Sequence, residues 1–514
     1  MRSFNVSRNI IAGLFGQLST TVLNFISRTV FVYILGAEYL GINGLFTNVL
    51  TVLNIAELGI SSAIVFSLYE PLHKQDIKKV QAIMNLYRKI YFVIGIIVLV
   101  LGIALIPILP YMMKGSTTLV NINIVYLLFL LQTVFTYWFF SYKSALPQAD
   151  QNQYIVSLAT AIINAVKILV QIVVLLISKS FLLYLVASVV FSVINNYFIA
   201  KKVDQKYPYI RLKNQEKVTK NEKRYIFKNV AGMAMYKISG TVLNSADNII
   251  ISSFIGVVTV GIYSNYLLII RTLISLVGIV FSSFTSSIGN LFVSESKEKG
   301  EFIFRCLNFL NFWVYGFCAI CLWNLFNPFI TLWIGSSYLL TKDIVFIIIL
   351  NFVTDGLEQA VIAYKDACGL FWKGKIRPVV SSILNIILSI VLVKPLGIFG
   401  VILGTILTRF LTTWWFDPLL VYRNVFNMSP KRYYFRYIRS LLLIIIMCWL
   451  TDEMCNLMPQ DTILGFVGTC AISFIFPNII FYILFRKSAE FSYIFNTGKN
   501  VLVKLLNIRN QKGE

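Results

Sequence analysis

One histidine, His73, stands in a chain of 514 residues. Acid–base or metal chemistry built on imidazole pairs therefore has no material here. Cysteine is also scarce, with seven in all, and the one CxxC spacing, Cys318 and Cys321, lies inside an apolar run without a second pair. That pattern suits small core side chains better than a metal or redox site. No glycine-rich phosphate loop, zinc signature or nucleophile elbow occurs. Charge is thin as well. Charged residues make up 13% of the chain, where a soluble globular domain has about 25%. Acids are the scarcer sign, 22 against 45 Lys and Arg.

What fills the chain instead is apolar. Hydrophobic residues are 58% and the mean hydropathy is +0.77. Many uninterrupted runs reach the roughly 20 residues that cross a bilayer. The formal charge of +23 could suggest nucleic acid, but the Lys and Arg sit in short loops between the apolar runs. That is the positive-inside distribution of a polytopic membrane protein.

Fourteen spans are expected. The first six are about Asn9–Tyr33, Gly41–Leu68, Ile90–Met112, Leu119–Phe140, Gln151–Ile177 and Phe181–Ile199. The first follows Arg2 and Arg8, is too long for a signal peptide and reads as a retained anchor. A second group is about Ile226–Phe254, Thr259–Phe284, Phe302–Ile330, Ile344–Tyr364, Pro378–Val393 and Leu396–Val421, followed by Ser440–Leu457 and Ile463–Phe485. The expected organisation is an N-lobe over 1–202, a basic linker over 203–225 and a C-lobe over 226–422. The last two spans and a cytoplasmic amphipathic tail occupy 423–514. With the N-terminus inside, 36 basic residues fall in cytoplasmic segments and only Lys114, Lys179, Lys342 and Lys394 outside. Both termini are then cytoplasmic.

The lobes are related by an internal repeat. Displaced by 220 positions, Ser19, Thr21, Val22, Leu23, Asn24, Gly36, Gly41 and Ile42 meet Ser239, Thr241, Val242, Leu243, Asn244, Gly256, Gly261 and Ile262. Six spans per copy keep one orientation, a parallel repeat about the membrane normal. Both copies carry polar stripes at helical spacing. Span 1 aligns Gln17, Thr21, Asn24 and Arg28; span 7 aligns Lys237, Thr241, Asn244 and Asn248. Span 2 adds Asn43, Thr47, Asn54, Glu57 and Ser61, and span 8 adds Ser264, Arg271, Ser275, Gly278 and Ser282. Such faces must meet protein or water rather than lipid.

An intramembrane charge costs about 2.5 kcal/mol or more unless paired or hydrated. Among the charges within spans are the cations Arg28, Lys167, Lys237, Arg271 and Arg409 and the acids Glu57, Asp247, Asp355 and Glu358. Interhelical pairing, such as Glu57 with Lys237, is the plain explanation. The sharper one is a hydrated, net positive site for an anionic substrate, with Arg28, Lys237, Arg271, Asn24, Asn244, Thr241 and Ser275 binding it. Asp355 and Glu358, one turn apart, are candidates for coupling to H⁺ or Na⁺, as are Glu57 and Asp247, or else they pair with Lys167 or Arg409. No metal or other cofactor is expected.

Two stretches carry a family resemblance. LNIILSIVLVKPLGIFGVILGTILT, Leu384–Thr408, with Asn385, Pro395, Gly397, Gly400 and Gly404, resembles the second-lobe signature of bacterial polysaccharide transporters. GQLSTTVLNFISRTVFVYILGAEYLGINGLF, Gly16–Phe46, resembles their opening segment. These O-antigen and capsule repeat-unit flippases belong to the multidrug/oligosaccharidyl-lipid/polysaccharide superfamily. The resemblance implies an all-α, two-lobe protein of the bacterial cytoplasmic membrane that moves undecaprenyl-diphosphate-linked oligosaccharide between leaflets by alternating access. It also implies cavity-lining cations on the spans that carry Arg28, Lys237 and Arg271. A monomer is the expected state, with polysaccharide polymerase and glycosyltransferases as candidate partners and no nucleic acid. A lipid II flippase is the nearest alternative. Multidrug antiport is disfavoured because cationic drugs suit acidic cavities, and an enzyme because the longest outer loop spans only a dozen residues.

Overall fold

The computed structural model describes residues 2–57, 60–115, 121–211, 218–219, 237–243, 245–294, 296–368, 370, 374, 376–458, 462–497 and 499. Among them no strand occurs and almost every residue is helical. Nine helices are long and apolar enough to cross a membrane, and a tenth if Ile122–Trp138 and Ser141–Ala149, bent by 54°, are one span. The sequence expects fourteen spans, and two merge in this structure. Arg2–Leu53 runs through the first span and into the second, and Arg377–Val421 holds the eleventh and twelfth. Each contains a glycine break, Gly36 at φ 82° and Gly397 at φ 58°. Positive φ of this kind is open to glycine and strained for other residues.

The chain forms two compact units, Met1–Ser264 and Asn265–Glu514. About half of the expected linker at 203–225 lies outside the described residues, and its first residues, to Lys206, continue a helix. The boundary between the units falls inside a later helix.

In the first unit the helices are α1 (Arg2–Leu53), α2 (Ile60–His73), α3 (Ile77–Leu105), α4 (Ile122–Trp138), α5 (Tyr154–Ser178), α6 (Phe181–Lys206) and α7 (237–254, with 244 outside the description). The next helix, α8 (Val257–Ser294), begins in it. Asp76 starts α3 by accepting from the Lys79 amide at 3.0 Å, which satisfies a backbone donor that the helix leaves unpaired. Lys179 takes a left-handed conformation between α5 and Ser180, the N-cap of α6. These two helices form a hairpin against α1. The outer face of α3 exposes Val93, Ile97, Val100 and Leu101, an apolar surface that only lipid would cover in a protein of this composition.

The two copies of the repeat meet in this unit. A side chain at Gly41 would overlap the Val257 carbonyl, and one at Gly261 would overlap the Ala37 carbonyl. Residue 37 is the repeat counterpart of 257, and 41 of 261, so one contact is made twice with the copies exchanged. The absent Cβ atoms let the two backbones touch. The loop after α3 fastens the same place: Ser252 Oγ donates to the Met112 carbonyl at 2.7 Å, and the Val257 amide to Lys114 at 3.2 Å.

In the second unit α9 (Lys297–Ile334) packs against α10 (Lys342–Gly356), α13 (Lys431–Cys455) and α14 (Ile463–Phe485). The short α11 (Gln359–Ala367) and long α12 (Arg377–Val421) lie between them in sequence. Tyr315 of α9 lies flat against Gly356 at the end of α10. Nearer the start of α9 the interior is aromatic, with Phe304 in contact with Tyr364, Tyr422, Phe426 and Tyr433. A final helix, α15, covers 489–497.

Candidate functional site

The polar stripe of α1 is only partly enclosed by its own unit. Asn24 is exposed, and Thr21 and Arg28 are half-buried. The Arg28 guanidinium donates to Ser264 Oγ at 3.3 Å, and Ser264 in turn donates to the Gly261 carbonyl at 2.8 Å. One of the expected binding cations therefore lies beside the start of α8, next to the glycine contact between the repeats. On α7, Lys237 is exposed and Thr241 and Asp247 are half-buried. Asn244 lies outside the described residues.

Arg271 and Ser275 belong to the second unit and are described with it alone. Arg271 is exposed and is the one charged residue of α8. Among the described residues it has no ion pair or hydrogen bond. Ser275 is half-buried one turn later. Lys167 is half-buried on α5, between Asn164 and Gln171 on one helical face. Gln171 donates to Ser188 Oγ at 2.6 Å, tying α5 to α6.

Glu57 is held by tyrosines rather than by the suggested cation. Its carboxylate accepts from the hydroxyls of Tyr91 and Tyr137, the latter at 3.1 Å, and Tyr87 donates to Tyr91 at 2.7 Å. All three tyrosines are buried. Among the described residues no cation pairs with Glu57, so the suggested pair with Lys237 is not formed. The span is broken here, with a short 3₁₀ turn, Asn54–Glu57, following α1. The tyrosines lie on α3 and α4 at no spacing that could be matched to Glu57 from sequence.

In the second unit Asp355 and Glu358 meet Arg409 rather than Lys167. The Arg409 guanidinium donates to Asp355 Oδ1 at 2.9 Å, to Asn351 Oδ1 at 2.9 Å and to Thr354 Oγ1 at 2.7 Å. Its Nε lies 3.9 Å from Glu358 Oε2. Glu358 is 4% exposed, stands at the junction between α10 and α11, and its other oxygen is buried without a donor. A carboxyl placed so has capacity left for a proton or a small cation. Asp355, by contrast, is satisfied by its arginine.

A second ion network was not anticipated from sequence. Lys365 Nζ contacts Asp417 Oδ2 at 2.7 Å, and Arg377 approaches the same oxygen at 3.2 Å, with Lys365 and Asp417 both buried. The first unit repeats the arrangement. Lys143 Nζ contacts Asp204 Oδ1 at 2.6 Å, and Arg211 Nε lies 3.2 Å from Oδ2. The lysines sit in matching tetrads, Tyr142-Lys143-Ser144-Ala145 and Tyr364-Lys365-Asp366-Ala367. Their shared offset of 222 was the available signal, just outside the ungapped repeat.

No protein-family model and no curated protein sequence matches the chain. Solved structures do match. The lipid II flippase MurJ in an inward closed conformation aligns over 93% of this chain and 99% of its own, at 15% identity and TM-score 0.64. An inward-facing multidrug resistance MATE transporter of the MOP superfamily covers 85% and 98%, at 13% identity and TM-score 0.62. A MOP superfamily transporter from Pyrococcus furiosus, described by a reversed polarity of its binding pocket, covers 86% and 95%, at 14% identity and TM-score 0.52. At these identities the likeness concerns the fold. The chain is an all-helical, multi-pass membrane protein with the fold of the flippases and transporters of the MOP superfamily.

Proposed function

We propose that this protein is a transporter, not an enzyme, which flips undecaprenyl-diphosphate-linked oligosaccharide repeat units across the bacterial cytoplasmic membrane. The observation that carries the reading is charge where a membrane helix has little reason to hold it. Arg271 is the one charge on its membrane helix and is exposed without a partner among the described residues, and Arg28, on the polar stripe of the first span, donates to a serine hydroxyl. Guanidinium groups bind diphosphate through paired, charge-assisted hydrogen bonds. In this reading Arg28, Lys237 and Arg271 bind the diphosphate. Asn24, Asn244, Thr241 and Ser275 bind sugar hydroxyls. The lipid tail stays in the bilayer while the lobes alternate in access. Glu358, with its unsatisfied oxygen, is the first candidate for H⁺ or Na⁺ coupling, followed by Asp355, Glu57 and Asp247. The termini are cytoplasmic, as the loop charges favour. The protein works as a monomer beside glycosyltransferases and a polymerase.

Lipid II is the second substrate, favoured by the similarity to MurJ over nearly the whole of both chains. Proteoliposomes loaded with defined lipid-linked glycans separate the two. Flipping of a repeat-unit lipid, lost in Arg271→Ala, supports the first reading. Flipping of lipid II alone replaces it, and flipping of neither removes both.

A further inference from the structure

The start of α13, KRYYFRYIRS, places Arg436, Arg439 and Ser440 beside Tyr433 and Tyr437 at steps of three and four. Facing them on α9 are Arg305, Asn308 and Phe309, with Phe485, Ser488 and Glu490 closing the far side. Together they line an open cavity of about 100 Å³. It lies wholly within the second unit and contains none of the residues assigned to transport.

Its charges are unequal in their partners. Arg305 is neutralised, 2.9 Å from Glu301 and 3.2 Å from Glu490. Arg436 and Arg439 have no ion pair or hydrogen bond among the described residues; Arg439 only stands 6.0 Å from the Phe485 ring. Deeper in, Tyr433 is 5% exposed and its hydroxyl has no hydrogen-bond partner among the described residues. A buried hydroxyl without a partner is unfavourable, and a ligand that supplies an acceptor would relieve it. Two guanidiniums without an ion pair and a buried phenol lining one cavity describe an oxyanion site.

The surroundings say which oxyanion. Arg436 and Arg439 lie roughly 8 and 12 Å along α13 from Lys431, at 1.5 Å per residue. Nearby, Tyr434 packs on Trp414 and donates to the Trp415 carbonyl, and such aromatic side chains are enriched at a headgroup boundary. Helix α15 lies alongside, stacking Phe491 on Trp313 and exposing Tyr493 and Phe495. From the mouth of the cavity an exposed apolar stripe runs up α13: Phe435, Ile438, Leu442, Ile446 and Trp449. A free anion has no use for that stripe, whereas acyl chains would cover it.

We infer that the cavity between α9, α13 and the start of α15 binds the phosphate of an anionic membrane phospholipid, with Arg436, Arg439 and Tyr433 as its ligands. The site is separate from the transport reading, and its test reads binding alone. Full-length purified protein is titrated with short-chain phosphatidylglycerol, phosphatidylcholine and inorganic phosphate, with native mass spectrometry counting bound lipid. Phosphatidylglycerol should bind most tightly. Arg436→Gln with Arg439→Gln should weaken it by about tenfold or more, the loss expected for hydrogen bonds to a charged group. Tyr433→Phe, which keeps the ring packing, should weaken it several-fold. Arg439→Lys keeps the charge without the paired donors and should fall between wild type and the double variant. Equal binding of phosphatidylcholine, or unchanged binding in the double variant and in Tyr433→Phe, overturns the site. Inorganic phosphate binding as tightly as phosphatidylglycerol overturns the lipid as its occupant.

Discussion

Lys365 shows what a single buried charge does here. It and Arg377 share one oxygen of Asp417, and both Lys365 and Asp417 are nearly inaccessible. Breaking such a pair from one side strands the other charge, at about 3–5 kcal/mol. Lys365→Met should therefore sharply lower folded abundance in the membrane, and adding Asp417→Asn should recover part of it; fluorescence-detected size exclusion reads both. Arg271 should behave oppositely, because nothing described depends on it. Arg271→Ala should remain abundant and lose transport, with Arg271→Lys restoring only part. Glu358→Gln should keep the protein folded while changing the dependence of transport on pH or Na⁺; an unchanged dependence removes Glu358 from coupling. These residues also show the limits of sequence. Arg409 and its acids were legible because an arginine and two carboxylates inside apolar runs leave few partners. The tyrosines around Glu57 were not, since neutral hydroxyls on distant helices carry no pattern. The lysine pairs were missed because Lys143 and Lys365 lie at helix ends, where a basic residue already has a reason to be.

At the scale of elements, the repeat was the most informative signal, and the structure gives part of it a physical cause. Gly41 and Gly261 match because each faces the backbone of the other copy, and Gly36 and Gly256 match because each turns the chain at positive φ. Helix number was less legible, since an apolar run does not say whether a glycine inside it ends a helix or bends one. The exchanged contact makes a prediction. Gly41→Val or Gly261→Val should separate α1 from α8 and reduce thermal stability or abundance, whereas Gly240→Ala, with open space around it, should be near neutral. Equal effects at all three positions would contradict the close contact.

For the whole molecule, composition and loop charge were enough to give a polytopic all-α protein, and the fold matches that of known transporters over 93% and 85% of the chain. Substrate is a finer matter, because it depends on a few cations whose helices lie in different parts of the chain. The central claim is that those cations serve a lipid-linked diphosphate. Its most direct measurement is flipping of a defined undecaprenyl-diphosphate oligosaccharide in proteoliposomes by wild type, Arg28→Gln and Arg271→Gln, with reconstituted protein matched in amount. The account predicts flipping by the wild type and its loss, without loss of folded protein, in both variants. Flipping at the wild-type rate by both variants would contradict it.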